Sequence, residues 1–372
     1  MKFSVLSGEL QKILIKTGSV IPSKSALPIL ENYMFSLKGN TLTVTATDMD
    51  VSISSLLKTK GERDGSIIIP AKRLMDTIRA LPLNVEIEIS ADIESCKILM
   101  KTDKGEYRLT GQISDEYPQI PDSKDESKIF IETELLKKLI SKAMFAASSD
   151  ELRPAMTGVL FQIKKNEIRS VATDGHRLVK FIYSDFESPN FEKEIILPTK
   201  TLNVISRYLD EKLNSISVNE SHITFHFEQT LLNSKIIDEK YPNYESVIPT
   251  DNNLLLTVNK NELLSSVRRA SFYASSTTHQ VRFFVEKNLL TISAEDIDFG
   301  SEAKETIPCE FSDNTLEIGF NAVYIIDILT HIESEEVVFN LSSPNKAAVV
   351  IPKPKQEKEE LLMLVMPVRL NT

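Results

Sequence analysis

Cysteine is almost missing from this 372-residue chain: Cys96 and Cys309 are far apart and are the only two. That is too few, at the wrong spacing, for a disulfide framework or a structural zinc site. A reducing cytoplasm is the compartment that fits. No stretch approaches 18 apolar residues, so no membrane span is expected. The amino terminus, MKFSVLSGELQKILIKTG, lacks the unbroken apolar run and cleavage site of a signal peptide. GxGxxG and Walker-type loops are missing, which removes nucleotide binding. HExxH and CxxC are missing too, and the five histidines are scattered, so no cofactor and no metal are expected. Positive charge is also short. Lys and Arg number 43 against 53 Asp and Glu, and a net charge of −10, taken alone, argues against nucleic acid. With 41% apolar and 26% charged residues the chain is globular material, long enough for two or three cores.

What the chain has in quantity is repetition. LTVTATDMDVS (42–52), IRSVATDGHRL (168–178) and LTISAEDIDFG (290–300) place Asp48, Asp174 and Asp296 at intervals of 126 and 122. IIPAKRLMDTIRALP, ILPTKTLNVISRYLD and EIGFNAVYIIDILTH keep the same step, and Pro118, Pro242 and Pro367 close the three units at spacings of 124 and 125. Solenoid repeats are about 20 to 50 residues long and domains about 100 to 150. These units therefore read as three tandem domains, 1–125, 126–252 and 253–372. The polar stretches DSKDESK (122–128) and PTDNN (249–253) are the expected linkers.

Each repeat predicts helix, strands, helix, strands. First helices are expected over 6–17, 132–145 and 261–273, with Leu10, Ile13, Leu14 and Leu136, Leu139, Ile140 on one face. Second helices should begin just after Pro70 and Pro198, with the proline in the first turn, and with stripes Leu74, Ile78, Leu81 and Leu202, Ile205, Leu209. VEIEIS (85–90), ITFHFE (223–228) and VVFNLS (337–342) alternate as half-buried antiparallel strands do. KPKQEKEE (353–360) reads as a solvated loop.

Basic residues recur at matching places. Lys12 and Lys16 on the first helix match Lys138 and Lys142 on its counterpart, with Arg268 and Arg269 on the third; Lys72 and Arg79 match Lys200 and Arg207. One such pair is an ordinary solvated helix face. Recurrence favours a functional face. The third copy departs, aligning Asn321 with the lysines and Ile328 with the arginines.

LPILENYMF (27–35), IPAKRLMDTIRALP, DEYPQIP, TDGHRL (173–178), KYPNYESVIP, FNAVYIIDIL (320–329) and VMPVRL (365–370) together resemble the bacterial DNA sliding clamp family, the beta subunit of DNA polymerase III, over the whole length. The resemblance implies an α+β fold of three clamp domains, each with two helices packed on antiparallel sheets, dimerising head to tail into a closed ring. It implies a processivity factor with no catalytic activity, which encircles duplex DNA without reading sequence. It tethers the replicative polymerase, the clamp loader and other proteins that carry a clamp-binding motif. Twelve helices spaced about 9 to 10 Å apart would leave a hole roughly 35 Å across, wide enough for duplex DNA. Sequence-independent sliding needs phosphate contacts and no base readout. The cations expected to face the hole are Lys12, Lys24, Lys72, Arg79, Lys138, Lys142, Arg153, Lys200 and Arg207.

The resemblance also implies a partner-peptide pocket between the second and third domains. Carried over residue by residue, its walls are Met156, Thr173, Gly175, His176, Arg177, Leu178, Pro242, Val247, Asn321, Tyr324, Val365, Met366, Pro367, Val368 and Arg369. Methionines there would adapt to different side chains, while His176, Arg177 and the terminal strand would supply hydrogen bonds. Ser246 stands where an arginine occurs in some clamps, and Thr278 where an aromatic does. Tyr107, Phe272 and Tyr273 are the expected ring-closing contact; a place in the core is the alternative. For Asp174 and His176 the alternative is a metal or general-base pair, and for Met366 to Val368 it is a last core strand. A three-domain enzyme and a purely structural scaffold are the rival classes.

Overall fold

The structure, a computed structural model, describes residues 1–120, 127–188 and 191–370. The expected linker at 122–128 lies mostly outside the described residues, and Ser127 already begins the strand Ser127–Ile129. Six α-helices are described: α1 Ser7–Thr17, α2 Ala71–Ala80, α3 Thr133–Ala143, α4 Thr199–Ile205, α5 Lys260–Ser271 and α6 Ala322–Thr330. The chain forms two compact units, residues 1–137 with 200–236, and residues 138–199 with 237–372; the cuts fall inside α3 and α4, within the central repeat.

In the first unit, a five-stranded sheet runs in the order Lys60–Arg63, Lys2–Leu6, Glu86–Asp92, Lys97–Lys101, Glu106–Thr110. An eight-stranded sheet joins four strands of the first repeat to four of the second. Its seam is an antiparallel pairing of Thr230–Ser234 with Ser55–Val51. The second unit repeats the device. There Arg177–Tyr183 pairs antiparallel with Glu359–Val365 through seven residues, uniting repeats two and three in one eight-stranded sheet beside a four-stranded one. Continuous backbone hydrogen bonding thus joins neighbouring repeats inside each unit, through strands remote in sequence from the expected linkers.

Alternation places the cores. In Glu336–Leu341, Val337, Phe339 and Leu341 are buried while the residues between them face outward, as a strand's period of two requires. Leu10 and Leu14 of α1, Leu74 and Ile78 of α2 and Leu136, Leu139 and Ile140 of α3 are buried as their spacing predicts. In the second repeat α4 ends at Ile205, and Tyr208, not Leu209, takes the buried place. The bonds Arg207 N to Val204 O and Tyr208 N to Ile205 O tighten the chain to three residues per turn. That brings position 208 directly over 205. Pro70 and Pro198 are not in the first helical turn. Each ends an edge strand, Gly65–Pro70 and Lys193–Pro198, where a residue without N–H costs the sheet nothing.

The repeated aspartate is a hairpin device. Asp48 Oδ1 accepts from the N–H groups of Asp50 and Val51, Asp174 Oδ1 from His176 and Arg177, and Asp296 Oδ1 from Asp298 and Phe299. In the first two copies Thr47 and Thr173 brace the same turn through Oγ1, and the residue after the aspartate, Met49 or Gly175, takes positive φ. Short polar side chains that mimic backbone acceptors do this at turns. The third copy has Glu295 in place of threonine and moves its positive φ to Gly300, after a longer turn.

Candidate functional site

The strongest constellation lies around Arg177, which follows the Asp174 turn in the second unit. Its Nε donates to Asp174 Oδ2 at 3.0 Å, Nη2 donates to the Phe145 carbonyl at 2.8 Å, and Nη1 donates to Asp327 on α6. The guanidinium carbon lies 5.4 Å from the Phe145 ring centre and 4.7 Å from that of Tyr324. Planar guanidinium groups are suited to such stacking combined with forked donation. The side chain is only 11% exposed. Arg177 is therefore spent largely on building the site, through three of its five N–H groups. The Asp174 carboxylate is spent likewise, on two backbone N–H groups and Arg177, so it is not arranged as a metal ligand or base.

His176 remains exposed, its ring 6.3 Å from that of Tyr324, while its carbonyl accepts the Met366 N–H at 2.8 Å. The last strand ends at Val365, and Met366 stands 41% exposed, so the core-strand alternative fails for it. Val368 N–H donates to the Gly319 carbonyl at 2.8 Å. A side chain at Gly319 would meet the Val368 oxygen at 2.7 Å, so this close passage needs glycine. A Cβ added at Gly175 would meet Arg153 Nη1 at 3.2 Å and the Met156 methyl at 3.7 Å, which puts these three together. Thr173 N–H donates to Tyr241 Oη at 3.1 Å, and Tyr244 Oη donates to Gln162 at 2.7 Å, anchoring the loop that carries Pro242 and Val247, both exposed. Burial raises the pKa of both tyrosines above the ordinary value, which keeps both phenols neutral.

Several expected wall residues turn out otherwise. Leu178 and Val365 are 1% and 0% exposed and offer no wall, Leu178 lying in a cluster with Leu160, Val171, Ile196 and Leu364. Leu178 shares its sheet face with its cross-strand partner Leu364, and Val365, paired with Arg177, is buried on the opposite face. Met156 and Thr173 are nearly buried, and the Asn321 side chain is taken up by accepting Val323 N–H as the cap of α6. Asn321 thus ends a strand as Pro70 and Pro198 do, so Val323, not Asn321, is the counterpart of Lys72 and Lys200. By the same count Thr330 stands in the place of the arginines. Tyr324 is partly exposed, Arg369 is exposed, and Pro367 and Val368 are half-buried. Phe145, Asp327, Tyr241 and Tyr244, which position the site, were missed. Nothing in their local spacing separates them from core or surface.

The basic residues divide. Lys12, Lys24, Lys72, Arg79 and Arg207 are exposed and, among the described residues, form no ion pair. Lys138 is exposed but paired with Glu359, Arg153 with Asp150 at 2.8 Å, and Lys200 with Asp48 at 2.6 Å. Lys142 corrects its expectation. It is buried, with Nζ 2.6 Å from Glu333 and 3.2 Å from the His331 carbonyl, because α3 presents that face to the segment after α6. The His331 ring stacks on Phe145 with centres 3.9 Å apart. Lys142 holds the Glu333 carboxyl below the usual carboxylate range.

Phe272 and Tyr273, just past the end of α5, are 83% and 45% exposed, which removes the core alternative for both. Tyr107 is half-buried in Glu106–Thr110, an edge strand of its sheet. No described helix is long and apolar enough to cross a membrane.

Three family models match in order: the N-terminal, central and C-terminal domains of the DNA polymerase III beta subunit, over residues 1–121, 130–243 and 245–369. The beta sliding clamp of Chlamydia muridarum is 28% identical and that of Pseudomonas aeruginosa 29%, each across the full length of both chains. A crystal structure of the Pseudomonas aeruginosa DNA polymerase III subunit beta covers both chains completely at a TM-score of 0.93 and 28% identity. The Pseudomonas aeruginosa clamp bound to griselimycin superposes equally completely, at 0.92. Three consecutive domain matches without a gap longer than a linker, on a fold of paired helices and antiparallel sheets, place the chain in one family: it is a bacterial DNA sliding clamp, a beta subunit of DNA polymerase III.

Proposed function

We infer that the chain is a processivity factor: a non-catalytic subunit that closes as a head-to-tail homodimer around duplex DNA in the cytoplasm and tethers the replicative polymerase. The clamp loader and other motif-bearing proteins would use the same tether. The observation that carries this reading is the match of all three repeats, in order and full length, to clamp domains. The proposed domain limits are near 125 and 252; the first falls between the matched segments 1–121 and 130–243, and the second lies eight residues past the gap at 244.

Ring closure is supported by unpaired edges. Glu106–Thr110 in one unit and Ser301–Pro308 in the other each leave one side without a described strand neighbour, and such edges recruit another chain. Tyr107 lies in the first of these edges, and α5, which ends just before Phe272 and Tyr273, packs against the second, so a heterologous contact that closes after two copies fits. The DNA-facing set is Lys12, Lys24, Lys72, Arg79 and Arg207, with Lys138, Arg153 and Lys200 contributing charge while ion-paired. Exposed, water-screened cations hold phosphates without reading bases. The peptide site is the surface of His176, Tyr324, Met366, Pro367, Val368 and Arg369, with Gly175, Pro242 and Val247, on the rigid base made by Arg177.

Retention on DNA tests the reading. Loaded protein should stay on circular duplex and be lost once that duplex is linearised. Equal retention on both forms would refute encirclement.

A further inference from the structure

The two seams between repeats obey one register. In the hairpin of each repeated aspartate, the residue before the aspartate has a matching partner across the turn: Thr47 pairs with Ser52, Thr173 with Leu178 and Glu295 with Glu302. On the strands that meet these hairpins, the N–H groups just beyond the strand ends also match. Those of Gln112, Ile237 and Val368 donate to the carbonyls of Ile68, Ile196 and Gly319, each two residues before the end of its own strand. Between these marks Ser52 pairs with Asn233 and Leu178 with Leu364, in both cases four residues before the donor.

The third hairpin and the first repeat's last strand carry the same marks but have no such partner. Ser301–Pro308 and Glu106–Thr110 are each the open edge of a sheet. The shared register sets Glu302 opposite Arg108, four residues before Gln112, and antiparallel pairing then sets Ala303 opposite Tyr107 and Lys304 opposite Glu106. The four charged residues are exposed on one face, while Tyr107 and Ala303 are half-buried on the other. Both charged pairs join opposite signs. Sliding one strand by a single residue would turn the charges onto the half-buried face. Sliding it by two would set Lys304 opposite Arg108 in one direction and Glu302 opposite Glu106 in the other, and like charges directly opposed are destabilising. Glu302 already faces Glu295 across its own hairpin, and among the described residues neither has an ion-pair partner. A cation on the open side of Glu302 offsets that repulsion.

We propose that Ser301–Pro308 recruits Glu106–Thr110 of a second copy of this chain in this register, with Arg108 against Glu302 and Glu106 against Lys304. The alternating charges fix the register of the contact and select its partner. The proposal rests on the homodimeric ring inferred above.

Two charge-reversed variants form the test. Glu106→Lys with Arg108→Glu reverses one edge, and Glu302→Lys with Lys304→Glu reverses the other. Each variant alone sets like charges opposite one another at both contacts of the ring, so its dimer dissociation constant, read by light scattering at low salt, should rise roughly tenfold or more. Mixed in equal amounts, the two should recover the dimer, because one contact then carries both reversals and the other carries neither. A thermal melt checks folding, and the single changes Glu106→Lys and Lys304→Glu repeat the test where a double variant does not fold. A dimeric parent whose folded variants dimerise unchanged, or stay monomeric after mixing, would overturn the register and leave the ring standing. A monomeric parent, lost equally from circular and linear duplex, would overturn the ring and the register with it.

Discussion

Asp327 of α6 receives the Nη1 donor of Arg177, whose other donors are fixed on Asp174 and the Phe145 carbonyl, so one buried guanidinium joins the hairpin of the second repeat to a helix of the third. Removing one partner of such a group leaves its charge undercompensated, at a cost of about 1.5 to 3 kcal/mol for a charged hydrogen bond. Asp327→Ala should lower the melting temperature and weaken peptide binding without changing the dimer mass. A variant with wild-type stability and affinity would mean that Arg177 is held adequately by its other contacts.

Lys142 and Glu333 predict a pH effect. The Glu333 carboxyl is depressed by its hydrogen bond with Lys142, so its contribution is fully present above the ordinary glutamate value, about 4.3. It is lost as pH falls through the lower folded-state value. Glu333→Gln should be less stable than the parent at neutral pH, with the difference shrinking below about pH 4. A difference that is constant down to pH 3 would show that the pair is not the cause. Lys142→Met should alter stability and leave the salt dependence of DNA contact unchanged.

The exposed cations should behave in the opposite way. Glutamate at Lys24, Lys72, Arg79 and Arg207 together should flatten the decline of DNA binding with salt, by about one unit of slope for each phosphate no longer neutralised. Dimerisation should persist. Identical salt titrations for parent and variant would remove these residues from the DNA-facing set.

Phe272 and Tyr273 are too exposed to support the core. Charging both should give folded monomers, since clustered aromatics often dominate interface energy. Light scattering beside a thermal melt decides: a folded dimer excludes them from the contact.

The peptide surface is tested most directly by His176→Ala with Met366→Ala. Losing apolar contact with a partner side chain is worth roughly 1.5 to 3 kcal/mol, a tenfold or larger rise in Kd. Polymerase stimulation should fall while retention on circular DNA stays. A fluorescent clamp-motif peptide that binds the double variant as tightly as the parent would remove the surface from consideration.

The three-domain repeat, the helix faces of α1, α2 and α3 and the family were legible in the sequence because periodicity and collinear motifs survive without coordinates. The Asp48, Asp174 and Asp296 marks were visible as well, although their work as turn acceptors was not. Tertiary structure alone decided which lysine is buried and which is exposed. Lys138 and Lys142 look alike in the chain, yet four residues along α3 turn one toward Glu359 at the surface and the other under Glu333. It also decided that Arg177 faces inward, because its partners Phe145 and Asp327 lie 32 and 150 residues away. Local spacing records the period of an element and its caps. Which distant groups satisfy a buried charge is settled only when sheets and helices pack.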